Sequence, residues 1–334
     1  MTLSTSASAQ TPDFIAEVQV EPGWTVQARD LMPDGQLHLL TMQDGVTVRV
    51  GVFRPVTAPK ASLVLMTGYS EFIEKYFDTI RDFVDRGYLV VLPEWRGHGK
   101  SGGRLDNAPM RLHVRDFDQY RRDLFHVMAW LGTLDLPPLV FGLAHSMGGQ
   151  IALRAVHERP DLFAALALSA PMIDVHVDGF EMALLKTLGR VYVALGRGDA
   201  AVLGDKKSRV GKTHDLNQVT NNHARFTLNE GMIMADFAIN VEGRSVEWTL
   251  RAVQAMEATR RPEFLNTVSM PLFVGVADED LLVRSQATLE AVKHMGNAVA
   301  QVYAPAKHEL LMEVPAIRDR FISDVDAHFE KHRD

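Results

Sequence analysis

Six short apolar runs constrain this chain more than anything else in it: ASLVLMTG (61–68), YLVVLPEW (88–95), PPLVFGLAH (137–145), LFAALALSAP (162–171), PLFVGVA (271–277) and AVAQVYAPA (298–306). Apolar runs of that length, punctuated by Gly and Pro, read as strands buried on both faces. Between them lie stretches of helical periodicity: about Phe72–Asp85, stopped by Gly87; about Val114–Leu131; Met147 to about Glu158, ended by Pro160; and a last one from about Pro315. Strands alternating with helices predict an α/β fold with a mostly parallel sheet covered on both faces. Ahead of them, Leu37–Phe53 alternates in strand fashion around a QDG turn at 43–45, which predicts an antiparallel hairpin at one edge and eight strands in all.

The region 173–243 breaks the alternation, being helical and polar by turns. It follows the sixth strand at the carboxyl edge, where such sheets bind ligands, so it reads as a helical lid rather than an ordinary extra subdomain. Residues 15–172 and 244–334 are then the core. The Ser-, Thr- and Ala-rich start, residues 1–14, reads as a disordered tail.

Composition excludes several classes of function. The net charge of −7 lacks the basic face that nucleic acid needs. With no cysteine there is no disulfide frame, thiol nucleophile or cysteine metal site. No apolar run reaches the length of a membrane span, and the N-terminus lacks the basic start and apolar stretch of a signal peptide, so the cytoplasm is the expected compartment.

Chemistry concentrates at FGLAHSMGGQ (141–150), which nearly spells G-x-S-x-G with alanine for the first glycine: Ala144-His145-Ser146-Met147-Gly148. A strand before it and a helix after it are what a nucleophile elbow requires. Alanine is the least disruptive replacement where a small residue is needed. Ser146 would stand exposed at the top of the sheet, and the backbone N–H of Met147 could donate to an oxyanion. The serine needs a base, and His308 sits in the loop after the last strand. His126 and His157 lie within helical patterns and read as structural, and His145 points away from its neighbour. No H-E-x-x-H suggests zinc. The acid should follow the seventh strand, where Asp278, Glu279 and Asp280 all stand. A second oxyanion donor is expected from the loop after the third strand, where Gly68 permits a close turn and Tyr69 supplies the N–H.

Together TGYSEFIEKY (67–76), RGHGKSGGRL (96–105), AHSMGG (144–149), SAPM (169–172) and KHELLMEVP (307–315) resemble the α/β-hydrolase superfamily, and within it the bacterial lysophospholipase and monoacylglycerol-lipase (serine aminopeptidase-like) branch. In that branch A-H-S-M-G-G is a familiar elbow. The resemblance places the acid in a G-x-x-D-x-x-V frame, which selects Asp280, although Ala277 replaces the frame's glycine and keeps Asp278 open. Two further departures are Thr67 for the histidine of a His-Gly pair and Glu94 for an aspartate before R-G-H-G.

What the resemblance implies is acyl transfer to water by Ser146, His308 and Asp280, with Tyr69 and Met147 at the oxyanion and neither cofactor nor metal. The substrate expected is an ester with one long acyl chain, a lysophospholipid or monoacylglycerol. A short-chain or xenobiotic carboxylesterase stands second, ahead of a peptidase and of an inactive hydrolase-fold binding protein. In GFEMALLKTLGRVYVALGRG (179–198) Leu184, Leu185, Leu188, Val191, Tyr192 and Leu195 share one face, opposite Lys186, Arg190 and Arg197. That face either packs on the core or, with Leu184, Leu188 and Tyr192, lines an acyl pocket or meets a membrane surface transiently, making the enzyme peripheral there. The basic KKSRVGK (206–212) reads as a solvated loop or a phosphate contact.

Overall fold

The computed structural model describes residues 8–10, 17–21, 24–27, 32–134, 136–202 and 217–333. The eight expected strands are β1 Gly35–Thr41, β2 Thr47–Phe53, β3 Ala61–Met66, β4 Tyr88–Pro93, β5 Val140–His145, β6 Ala165–Ser169, β7 Leu272–Ala277 and β8 Ala298–Tyr303. They run in the order β1-β2-β4-β3-β5-β6-β7-β8. From β4 to β8 all neighbours are parallel, while β1–β2 and β2–β4 are antiparallel. This is the α/β-hydrolase sheet. A ninth strand, Ser8–Gln10, pairs antiparallel with β1 at the edge, inside the segment expected to be a disordered tail. Backbone pairing needs no apolar side chains, so the composition of that segment hides it. Glu17–Glu21 and Trp24–Gln27 form a separate antiparallel ladder.

The central strands are apolar at every position because both faces are covered. Along β3 and β4, Val64, Met66, Leu89 and Val91 join one core, and Leu63, Leu65, Val90 and Leu92 the other. Helices α1 (Phe77–Asp85) and α9 (Pro315–Lys331) close the second core through Ile80, Phe83, Phe321 and Phe329. The first core is closed by α2 (Asp118–Leu131) and α3 (Met147–Glu158), through Leu124, Val127, Ile151 and Val156. Parallel registers bring the strand ends level, with Met66 opposite Ala144, His145 opposite Ser169 and Ala277 opposite Tyr303.

Between β6 and β7 the chain forms α4 (Gly179–Ala194), α5 (His223–Ala235), α6 (Val246–Thr259) and the one-turn α7 (Pro262–Leu265). Side chains of Asp178, Asn222 and Ser245 cap the first three, accepting from the N–H groups of Glu181, Arg225 and Trp248. The KKSRVGK run lies outside the described residues. A further helix, α8 (Ser285–Val292), links β7 to β8.

One expectation for α4 changes. Its packed side is Met182, Leu185 and Gly189, with Gly189 buried against Leu250 of α6. Leu184 and Leu188 are 48% and 42% exposed, on a stripe with Phe180, Val191 and Leu195. The small residue decides the seam, because the helices come closest where a side chain is missing. The leucine-rich face is left outward, and neither Leu184, Leu188 nor the half-buried Tyr192 lines the cleft beside Ser146 described below.

Candidate active site

Ser146 occupies the turn between β5 and α3 with φ 49° and ψ −113°. For a residue other than glycine this conformation costs on the order of 1–3 kcal/mol and persists only where the surroundings impose it. Here they do: the Ser146 N–H donates to the Ser169 carbonyl, and its own carbonyl accepts from Met172 and Gln150. Gly148 has no substitute, since a Cβ there would lie 2.5 Å from the Met66 carbonyl oxygen. Ala144, by contrast, is wholly buried in the core, which accommodates its methyl group.

The sheet edge brings three side chains into a line. His308 Nε2 lies 2.9 Å from Ser146 Oγ, and His308 Nδ1 lies 2.7 Å from Asp280 Oδ2. An ionised carboxylate only accepts, so Nδ1 carries the ring proton and Nε2 is left to accept from the serine hydroxyl. The other oxygen, Asp280 Oδ1, accepts from the N–H groups of Leu282 and Val283, both at 2.8 Å. Burial pushes the Asp280 carboxyl up, but His308 and these two N–H groups outweigh it and hold it below its ordinary value. All three residues are buried, with Ser146 retaining 7% exposure.

Asp278 does something else. Its exposed side chain accepts from the Ala306 N–H at 2.8 Å, and the neighbouring Glu279 N–H donates to the Ala306 carbonyl. Both fasten the turn that leads to His308. The His145 ring turns away from the serine, with Nδ1 3.1 Å from the Ser169 carbonyl oxygen, and lies 4.8 Å from the His308 ring. His157 is tied to Thr267 and stacked on Phe264, as a structural histidine would be.

The loop after β3 passes directly over the elbow. A Cβ on Gly68 would lie 3.2 Å from that of Ser146 and 2.9 Å from Glu71 Oε2. Tyr69 follows, its ring against Trp248 and His98. Met147 opens α3, so its N–H belongs to the first turn, whose donors have no partner within the helix. The two expected oxyanion donors thus adjoin, in sequence, Gly68 and Ser146, which are themselves packed together. The departures at the rim are absorbed structurally: the Thr67 carbonyl accepts from Trp95 Nε1, and the buried Glu94 pairs with Arg49 and accepts from the N–H groups of Lys100 and Ser101.

Sequence reasoning overlooked several supports. Ser70, at φ 60°, donates to the Val241 carbonyl at the end of the insertion. His176 donates to the Asp280 carbonyl, and the Arg284 guanidinium to the carbonyls of Val175 and Val177. Glu71, Lys75 and Glu309 form a buried ion cluster behind the elbow. Only the i,i+4 spacing of Glu71 and Lys75 in SEFIEKY was visible beforehand. A cleft of about 100 Å³ opens beside the site, bordered by Tyr69, Ser70, Leu282, Asn229, Glu230 and Met312.

Residues 57–315 match the family described as Hydrolase_4, serine aminopeptidase, S33. The chain is 31% identical to the monoglyceride lipase of Rattus norvegicus over 301 residues, covering 88% of this chain and 90% of that one. It is 26% identical to lysophospholipase L2 of Escherichia coli (strain K12) over 298 residues, 86% of each. Among solved structures, a soluble variant of monoglyceride lipase from Saccharomyces cerevisiae, in complex with a substrate analog, superposes with a TM-score of 0.70 at 15% identity, covering 92% of this chain and 99% of that one. A thermostable carboxyl esterase from Bacillus coagulans, in complex with glycerol, gives 0.69 at 18% identity over 90% and 99%. At such identities these two show the fold alone.

Proposed function

The chain belongs to the serine aminopeptidase S33 family of α/β-hydrolases, and from that premise we propose that it hydrolyses single-chain lipid esters, monoacylglycerols or lysophospholipids, through an acyl-enzyme on Ser146. The observation that carries the reading is the unbroken hydrogen-bonded line Asp280–His308–Ser146, set on a strained elbow. His308 Nε2 takes the Ser146 proton as Oγ bonds to the ester carbonyl carbon. The oxyanion rests on the N–H groups of Tyr69 and Met147. The ester C–O bond then breaks, and the alcohol leaves with the proton from Nε2. Water attacks the acyl-enzyme, gives its proton to Nε2, and the fatty acid departs as Oγ recovers a proton. Asp280 stabilises the imidazolium throughout. No step requires a metal or cofactor.

Residues 173–243 act as a lid in this reading. Its outward stripe, Phe180, Leu184, Leu188, Val191 and Leu195, meets the lipid surface that supplies substrate, with the exposed Arg190 and Arg197 toward lipid head groups. Among the described residues no helix is long and apolar enough to cross a membrane.

The test is fatty-acid release from a monoacylglycerol and a lysophospholipid of the same acyl chain, alongside short-chain esters, with Ser146→Ala as the blank. Serine-dependent release from a lipid, well above the short esters, is expected. Turnover of short esters alone would make the protein a general carboxylesterase.

A further inference from the structure

Behind the elbow lies a cluster that the acyl-transfer steps do not use. Glu71 stands three residues beyond Gly68; its Oε2 accepts from the Gly68 N–H and, at 2.7 Å, from the Tyr76 hydroxyl. Its Oε1 accepts from Lys75 Nζ at 2.7 Å, and the same ammonium donates to Glu309 Oε1 at 2.7 Å. Glu309 directly follows His308. The side chains of Glu71 and Lys75 are 4% and 6% exposed, and that of Glu309 is 11% exposed.

Ligand atoms of Glu71, His145 and Glu309 lie within 4.8 Å of one another, a geometry that also suits a metal ion. The Lys75 ammonium already bonds both carboxylates, which takes the cation's place and argues against a metal there. What remains is a chain of charge-assisted bonds joining two loops that are far apart in sequence. One presents an oxyanion donor and the other the general base.

We infer that Lys75 is a positioning residue: by bridging Glu71 and Glu309 its ammonium holds the oxyanion loop and the His308 loop at the spacing that acyl transfer needs. The inference rests on the proposed roles of Ser146 and His308. Burial pushes the Glu71 carboxyl up, yet Lys75 and the surrounding donors bring it down to about 2. Burial likewise lowers Lys75, and the two glutamates more than restore it, so the Lys75 ammonium and the Glu71 carboxylate are both held in their charged forms. The other titratable groups facing the bridge are Tyr76, His98, His145 and His308, with Arg225 and Glu230 across the adjoining cleft.

Lys75→Met tests it, compared with Lys75→Arg. A displacement of about 1 Å at reacting groups costs on the order of 100-fold in rate, so kcat should fall roughly 10- to 100-fold at an unchanged KM. Arginine keeps a cation that can span both carboxylates and should restore most of the loss. Without a cation, two buried carboxylates this close share a proton and separate when both ionise. The ratio of Lys75→Met to wild-type kcat should therefore rise as pH is lowered from about 8 to 6. A loss that is flat with pH and not rescued by arginine would reduce Lys75 to packing and overturn the inference, as would an unchanged kcat. If Lys75→Met does not fold, Glu309→Ala severs the bridge while leaving Lys75 paired with Glu71. Its kcat should drop at constant KM, and a wild-type kcat overturns the proposal. Ser146→Ala run in parallel separates the two ideas: turnover surviving there defeats the serine reading, whereas its loss beside normal Lys75 variants defeats only this one.

Discussion

Two aspartates within three residues compete for one role, and their hydrogen bonds separate them. Asp280 spends one oxygen on His308 and the other on two backbone N–H groups, which fixes the carboxylate plane. Asp278 points outward to a backbone N–H of the turn before His308. Asp280→Asn should lower kcat on the order of 10⁴-fold with the fold intact, because an amide that donates to Nδ1 forces the wrong tautomer. Asp278→Asn keeps an acceptor for Ala306 and should stay within about tenfold of wild type on the same argument from hydrogen bonding. Steady-state rates on a monoacylglycerol decide between them, and the reverse order would transfer the role to Asp278. The choice was hard to read from sequence because both residues follow the same strand. What separates them is the direction each side chain takes in an irregular turn, and no periodicity encodes that. Ser146 and His308 were easier to single out, since a small-residue turn between strand and helix, and a histidine after the last strand, are local patterns.

At the scale of the element, α4 shows how a strong pattern misleads. Six apolar residues share a face in sequence, and amphipathicity alone would turn that face inward. Of the six only Leu185 joins the seam, which it forms with Met182 and Gly189 where α6 presents Leu250, while Leu184, Leu188, Val191 and Leu195 stay exposed. A Cβ at Gly189 would stand 3.4 Å from that of Leu250, so Gly189→Val should destabilise by about 1–3 kcal/mol through overpacking. Leu184→Ser and Leu188→Ser should each change stability by no more than about 0.5 kcal/mol, because both side chains are already in water. Urea unfolding of the three variants measures this, and the opposite ranking would put the leucine face back on the core. The same two leucine variants should reduce sedimentation with anionic phospholipid vesicles, which packing alone would not predict. Sequence reveals the stripe but not its direction, since one missing side chain on α4 outweighs several large ones.

Across the whole molecule, the order of strands and helices could be read because each central strand is apolar throughout and each helix keeps its period. The buried charges could not. Arg49 pairs with Glu74 and Glu94, which lie 25 and 45 residues away, and in composition such groups look like surface charge. The buried histidines are equally hidden, and they contribute to the response to acid. Burial drives His98 and His145 from 6.5 down to about 4, so both stay neutral in the folded protein at pH values where the unfolded chain would protonate them. A folded pKa below the unfolded one means that stability is fully present above pH 6.5 and is lost as pH falls toward 4. Within that window each such imidazole removes about 1.4 kcal/mol per pH unit. Asp280 and Glu71, also lowered, add their losses at more acidic pH, while Glu74 and Asp123, raised by burial, titrate in the opposing sense. The total slope is therefore mixed, and a difference isolates one group. His98→Gln, whatever its cost at pH 7.5, should flatten the fall in unfolding free energy between pH 6.5 and 4.5 relative to wild type, by up to about 1.4 kcal/mol per unit. Denaturant titrations of both proteins at several pH values give the two slopes. Parallel lines would mean that His98 is protonated as readily folded as unfolded, and the acid sensitivity would then have to lie with the other groups, His145 and the lowered carboxylates among them.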